Sequence, residues 1–119
     1  MTALEASHEE LAAAQMLVAR GFPRQATARA YYAAREALAA AGSSSPSTGG
    51  SLLSRFSEFA YSTLGLPGEL ARDLGQLEAA RREADDGERT IGVDEANDAI
   101  MRAEHVVQAV ELALPGGPG

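Results

Sequence analysis

The chain has 119 residues, a formal net charge of -7 and no cysteine, so it is long enough for one hydrophobic core and too short for a second. Disulfides, thiolate zinc sites and cysteine nucleophiles are excluded together. All ten basic residues are arginine, which removes Schiff-base lysine chemistry and the Gly-Lys-Ser/Thr phosphate loop, and the acidic balance opposes a general electrostatic grip on DNA or RNA.

Thr2 and Glu5 have the spacing of a capping box. Leu4, Leu11, Met16 and Val18, with intervening alanines, carry a first helix from there to about Arg20. Gly21 stops it, and Pro23 suits the first turn of a second helix that runs to about Ala41, because a missing N–H costs nothing there. On this second helix Ala26, Ala30, Ala33 and Ala37 form a row of small residues beside Tyr31, Ala34 and Leu38. Such a face lets other helices approach closely.

The stretch from Gly42 to Gly50 is rich in Ser, Gly and Pro and reads as a loop. A short third helix is expected over Ser51 to Thr63, with Leu52, Leu53, Phe56, Phe59 and Ala60 as its apolar set. Pro67 opens a fourth helix on which Leu70, Leu74, Leu77 and then Arg81 fall in one row, reaching about Asp86. A fifth begins near Asp94, and its Ile100, Ala103, Val107, Val110 and Leu114 keep a three-four spacing up to Pro115. No segment alternates with period two, so strands are not expected. The expected fold is all-α, an up-and-down bundle of four main helices plus one short helix. Residues 1–114 would form a single domain and 115–119 a flexible tail.

No apolar run approaches the roughly 20 residues of a membrane span, and the first ten residues lack a basic leader segment. The expectation is a cytoplasmic protein with no membrane contact. His8 lies between Leu4 and Leu11 on the apolar side of the first helix, and His105 stands on the last helix. Neither has a second histidine at ligand spacing, so no metal and no other cofactor is expected. Glu83, Asp85, Asp86, Glu88, Asp94, Glu95 and Asp98 form an acidic run that reads as a solvated face, with attraction of a basic partner or a divalent cation as the sharper alternative.

Arg81 is the anomaly, since it continues an apolar row and should point inward or toward a partner subunit. Asp85, four residues on, shares its face. The plain reading is an Arg–Asp pair within one helix at a bundle edge, with the arginine stem packed. On the second helix Arg29, Tyr31 and Tyr32 put polar tips beside the alanine stripe. They either reach across a subunit boundary, where tyrosine and arginine are favoured, or simply reach solvent at the edge of the monomer core.

The phrase Thr27-Ala28-Arg29-Ala30-Tyr31-Tyr32-Ala33 resembles the "Ser/Thr-x-Arg-x-Tyr-Tyr-Ala" wording of short stand-alone proteins in the HEPN superfamily. The likeness runs from about Leu11 to Leu114. It also takes in Gly50 to Phe59, Leu66 to Leu70 and Arg81-Arg82-Glu83-Ala84-Asp85. That resemblance implies a helical bundle, a homodimer, and action beside a minimal nucleotidyltransferase as a toxin–antitoxin or nucleotide-handling pair. HEPN ribonucleases carry an arginine where this chain has Arg81 and a histidine four to six residues later. Arginine can stabilise phosphate charge while histidine moves a proton.

Here positions 85, 86 and 87 are Asp, Asp and Gly, and an ionised aspartate is a poor proton donor that also repels phosphate. The Thr-His-Ser-Gly phrase of the stand-alone branch is Ser47-Thr48-Gly49-Gly50 in this chain, so that histidine is missing too. The reading is a noncatalytic module that binds a nucleotidyltransferase-like partner, a nucleotide or RNA through Arg81, Asp85, Arg29, Tyr31 and Tyr32. The alternatives are an active metal-independent ribonuclease with an unusual base, and a structural adaptor in which Arg81 is merely packed.

Overall fold

A computed structural model describes residues 2–40, 69–87 and 90–113. Its four helices are α1 (Ala3–Ala19), α2 (Pro23–Ala40), α3 (Glu69–Asp86) and α4 (Val93–Ala113), with no strand among the described residues. The short helix expected over 51–63, the Gly42–Gly50 loop and the tail lie outside the described residues. The fold is an all-α bundle.

Each boundary has a local cause. Thr2 and Glu5 form both halves of the capping box, with Glu5 N–H donating to Thr2 Oγ1 at 3.1 Å and Thr2 N–H to Glu5 Oε1 at 3.2 Å. Gly21 takes φ of +89°, a left-handed conformation that glycine adopts without strain, and the chain reverses there. α4 opens on Gly92, whose N–H donates to Glu95 Oε1 at 3.1 Å. At the end of α3, Gly87 N–H donates to Glu83 O at 3.0 Å. A Cβ on Gly87 would come within 2.5 Å of that same oxygen, so the last turn closes tightly only with glycine there.

Contacts between helices set the up-and-down course. Ser7 meets Ala33, and Glu10 meets Arg29, so α1 and α2 run antiparallel. His8 opposite Glu111 and Gln15 opposite Glu104 set α4 against α1. Asp73 opposite Arg102 does the same for α3 and α4. α2 touches all three other helices and packs most closely with α1 and α4. Its alanines make this possible: Ala26, Ala30, Ala33, Ala34 and Ala37 are fully buried, facing Ala96, Ala99 and Ala103 of α4 in one core with Leu38, Leu74, Leu77, Val106, Val107 and Val110.

Two details of α1 differ from the sequence expectation. The inward row is Ser7, Leu11 and Ala14, and Ser7 is satisfied by donating to Ala33 O at 3.0 Å. His8 is one position off that row and 54% exposed, so it is not on the apolar side. Met16 is likewise exposed. A small serine with a backbone acceptor in reach occupies the inward place that the imidazole could fill only by pushing α1 away from α2.

α3 and α4 are joined by a charged cluster. Asp73 is a buried acid in the Leu70, Leu74, Leu77 stripe. Arg102 donates to Asp73 Oδ1 at 3.0 Å and to Asp98 Oδ2 at 2.8 Å, and His105 Nδ1 lies 3.5 Å from Asp73 Oδ2. The Asp98 hydrogen bond is the main cause that holds the Arg102 pKa above the ordinary arginine value, against the cost of burial and with Asp73 adding to it.

Two substitutions test this packing. Ala30→Leu is expected to lower unfolding free energy by about 1–3 kcal/mol through overpacking, read from urea denaturation. Asp73→Ala is expected to cost about 1–3 kcal/mol, because Arg102 keeps a buried flank without its acceptor, whereas Asp98→Ala at the exposed end should stay within about 1 kcal/mol.

Candidate functional site

The five residues singled out in the sequence lie together on one seam. Tyr31 and Tyr32 are neighbours on α2 and half-buried, because the alanines before and after them take the core positions. Their rings meet edge to face, with centroids 5.5 Å apart and planes at 74°, the arrangement that aromatic quadrupoles favour. Arg81 of α3 lies over the Tyr31 ring with Cζ 5.2 Å from the centroid. Arg29 lies over the Tyr32 ring at 5.9 Å. Each arginine therefore has a π face beneath it.

Each arginine also has a carboxylate. Arg81 Nε stands 3.0 Å from Asp85 Oδ2, one helical turn on. Arg29 Nη1 reaches both carboxylate oxygens of Glu10 at 3.3 Å. The result is a continuous path across three helices: Glu10 on α1, then Arg29, Tyr32 and Tyr31 on α2, then Arg81 and Asp85 on α3. Glu10 was not singled out from the sequence. Nothing local marks it, since its partner is nineteen residues away on another helix.

Arg81 neither points into the core nor swings free. Its side chain is 40% exposed, while its Nε is shut off from solvent and its N–H is not aligned on any acceptor. Ion pairing with Asp85 is thus a matter of proximity, not of a well-directed hydrogen bond. Partial burial works against the charge, but Asp85 and then the phenolic oxygens of Tyr31 and Tyr32 outweigh it, and the guanidinium pKa is raised. Arg81 is a permanent cation, partly exposed, with the Tyr31 ring beneath its guanidinium and the Tyr32 side chain as a further hydrogen-bonding neighbour.

The histidines belong elsewhere. His8 Nε2 is 2.9 Å from Glu111 Oε2, and His105 faces Asp73 across the α3–α4 contact. Around Arg81 the groups brought together are Tyr31, Tyr32 and Asp85. The acidic run is divided in the same way: Asp85 serves Arg81, Asp98 serves Arg102, and Glu95 caps Gly92 N–H. Glu95 and Asp98 also help line an acidic cleft of about 360 Å³ between α3 and α4, with Gln76, Ala79, Ala80, Glu83 and Asp94. Among the described residues no group of three or more His, Asp or Glu is placed to hold a metal ion. Among them, too, no helix is long and apolar enough to cross a membrane.

Two arginines that join helices outside the seam, Arg24 and Arg102, were missed in the sequence, although both had signals. Asp98 and Arg102 stand four residues apart on one helix face, and Asp73 interrupts an otherwise apolar row. Arg24 puts a cation in the first turn of α2, the end where the helix dipole disfavours it.

The family model described as HEPN domain matches residues 2–113. No curated protein matches the chain. That match spans all four helices and the seam that joins α1, α2 and α3: the chain belongs to the HEPN domain family.

Proposed function

We propose that this chain is a noncatalytic HEPN binding module that receives a nucleotide, or the end of an RNA strand, on the Arg81–Tyr31–Tyr32–Arg29 seam. It works as a homodimer in the cytoplasm beside a nucleotidyltransferase-type partner, in the manner of a toxin–antitoxin pair. The observation that carries the reading is the state of Arg81: a cation over a tyrosine ring, 40% exposed, with one off-axis carboxylate as its ion-pair partner. Its outer nitrogens offer a planar fork that suits phosphate oxygens. Tyr31 and Tyr32 add faces and edges on which a base can stack.

The binding is local because the chain as a whole is acidic. Asp85 has two effects here. It helps hold Arg81 in place, and it competes with any incoming phosphate for the same guanidinium. Ribonuclease chemistry needs a group that gives and takes a proton near neutral pH. At this seam the nearest ionisable partner of Arg81 is Asp85, while His8 and His105 are engaged by Glu111 and Asp73. Binding without turnover is the reading these residues support best.

Titration with 5′-AMP and with a short single-stranded RNA tests it. Arg81→Ala is expected to weaken both by at least about tenfold, the loss of a hydrogen bond to a charged group. Asp85→Asn should tighten them by about two- to fivefold, the scale of one exposed ion pair released. Arg72→Ala, on an exposed position of α3 half a helical turn round from Arg81, should change neither. If Arg81→Ala lowers only the melting temperature and binding is unaltered, the chain is a packed adaptor. RNA cleavage by the native chain that disappears in Arg81→Ala would make it an enzyme.

The partner is tested separately. Co-expression with the product of a neighbouring nucleotidyltransferase-type gene should give a complex that survives purification at varied salt. Recovery of the free chain alone under every condition would remove the partner from the proposal.

A further inference from the structure

Arg24 occupies the second position of α2 and is partly buried, and its guanidinium reaches across to another helix. Nη1 donates to Glu83 O at 3.1 Å and also to Ala84 O. Both carbonyls belong to the last turn of α3, where four backbone acceptors have no partner within the helix and the dipole is negative. A cation that is misplaced at the positive end of α2 is well placed at the negative end of α3. Antiparallel packing of the two helices brings these ends together.

The carbonyls that Arg24 holds lie between Arg81 and Asp85 in the chain. Tyr31, the ring under Arg81, is seven residues from Arg24 on α2, two turns along and on the same face. The Arg24 bond therefore ties the turn that carries Arg81 and Asp85 to the helix that carries Tyr31. Glu83 O also accepts from Gly87 N–H at 3.0 Å, so the end of α3 is closed from within and clamped from outside at one oxygen.

We propose that Arg24 is a positioning residue for the binding seam: by clamping the last turn of α3 onto the start of α2 it fixes Arg81 over the Tyr31 ring. This rests on the reading of that seam as a binding site. Without the clamp the last turn frays, Arg81 leaves the ring, and its guanidinium is no longer presented in one place to a phosphate.

The test uses the full chain with Arg24→Met, which keeps an unbranched stem without a donor, and Arg24→Lys, which restores a charged donor. The first readout is amide hydrogen exchange at Gly87, whose N–H bonds to Glu83 O. The second is the NMR signal of the Arg81 side-chain N–H, displaced by the ring current of Tyr31. In Arg24→Met, Gly87 exchange should quicken by roughly tenfold or more, as expected for a turn that opens locally, with Leu74 and Leu77 still protected. The Arg81 signal should move toward that of a free arginine, and Arg24→Lys should recover most of both. Affinity for 5′-AMP should fall with the signal and return with it.

An Arg81 signal unmoved in Arg24→Met overturns the proposal. If the signal moves and 5′-AMP affinity does not, while Arg81→Ala abolishes binding, Arg24 is structural only and the binding seam stands. If Arg81→Ala leaves 5′-AMP binding unchanged, the functional reading itself fails, and this proposal fails with it. Should Arg24→Met not fold, Arg24→Gln keeps one uncharged donor and must give an intermediate displacement; no displacement there counts against the proposal in the same way.

Discussion

Alanine at the centre of α2 is the constraint on which the remaining structure depends. Ala26, Ala30, Ala33, Ala34 and Ala37 have no exposed surface, and α1, α3 and α4 all rest on this one helix. A side chain with one carbon lets helix backbones approach closely, and the larger apolar groups then come mainly from α3 and α4. Close approach also decides the fate of the long residues between the alanines. Tyr31, Tyr32 and Arg29 have no room in the core and are laid along its rim, where they meet Arg81 on one side and Glu10 on the other. The seam is a product of how small the core residues are.

Two partly buried arginines show how differently this bundle can treat a cation: the Arg102 side chain is 22% exposed and that of Arg81 40%. Arg102 has two carboxylates within 3.0 Å, both in hydrogen-bonding geometry, and it joins α3 to α4. Arg81 has one carboxylate at the same distance, poorly directed, and a π face in place of a second acid. A doubly paired cation gains little from an incoming anion, because it must surrender what it already has. A singly paired one has less to surrender to an incoming anion. Arg24 is a third case, a charge used against backbone carbonyls to fasten one helix end to another.

Much of this was legible in the sequence, and the reasons are physical. Capping at Thr2 and Glu5, the break at Gly21 and the alanine row of α2 rest on interactions within a turn or two, which spacing reveals. The row Leu70, Leu74, Leu77 is buried as its period requires, and Arg81 at its end is partly exposed over the Tyr31 ring. The misreading of His8 came from treating apolar side chains as the only inward residues; Ser7 is inward because Ala33 O is there to receive it. Glu10, Asp73 and Arg24 take their roles from partners on other helices. Periodicity carries no information about which helix faces which, so the acid–arginine–tyrosine path could be seen only once α1, α2 and α3 were in place.

Arg102 supplies an internal reference for the central claim, that Arg81 is a cation available to a ligand. The most direct measurement follows the arginine side-chain N–H signals by NMR as 5′-AMP is added to the native chain. The account predicts that the Arg81 signal shifts in a saturable manner, with the Arg29 signal following and the Arg102 signal fixed. Movement of Arg102 in place of Arg81, or no movement of any arginine up to millimolar nucleotide, would contradict it.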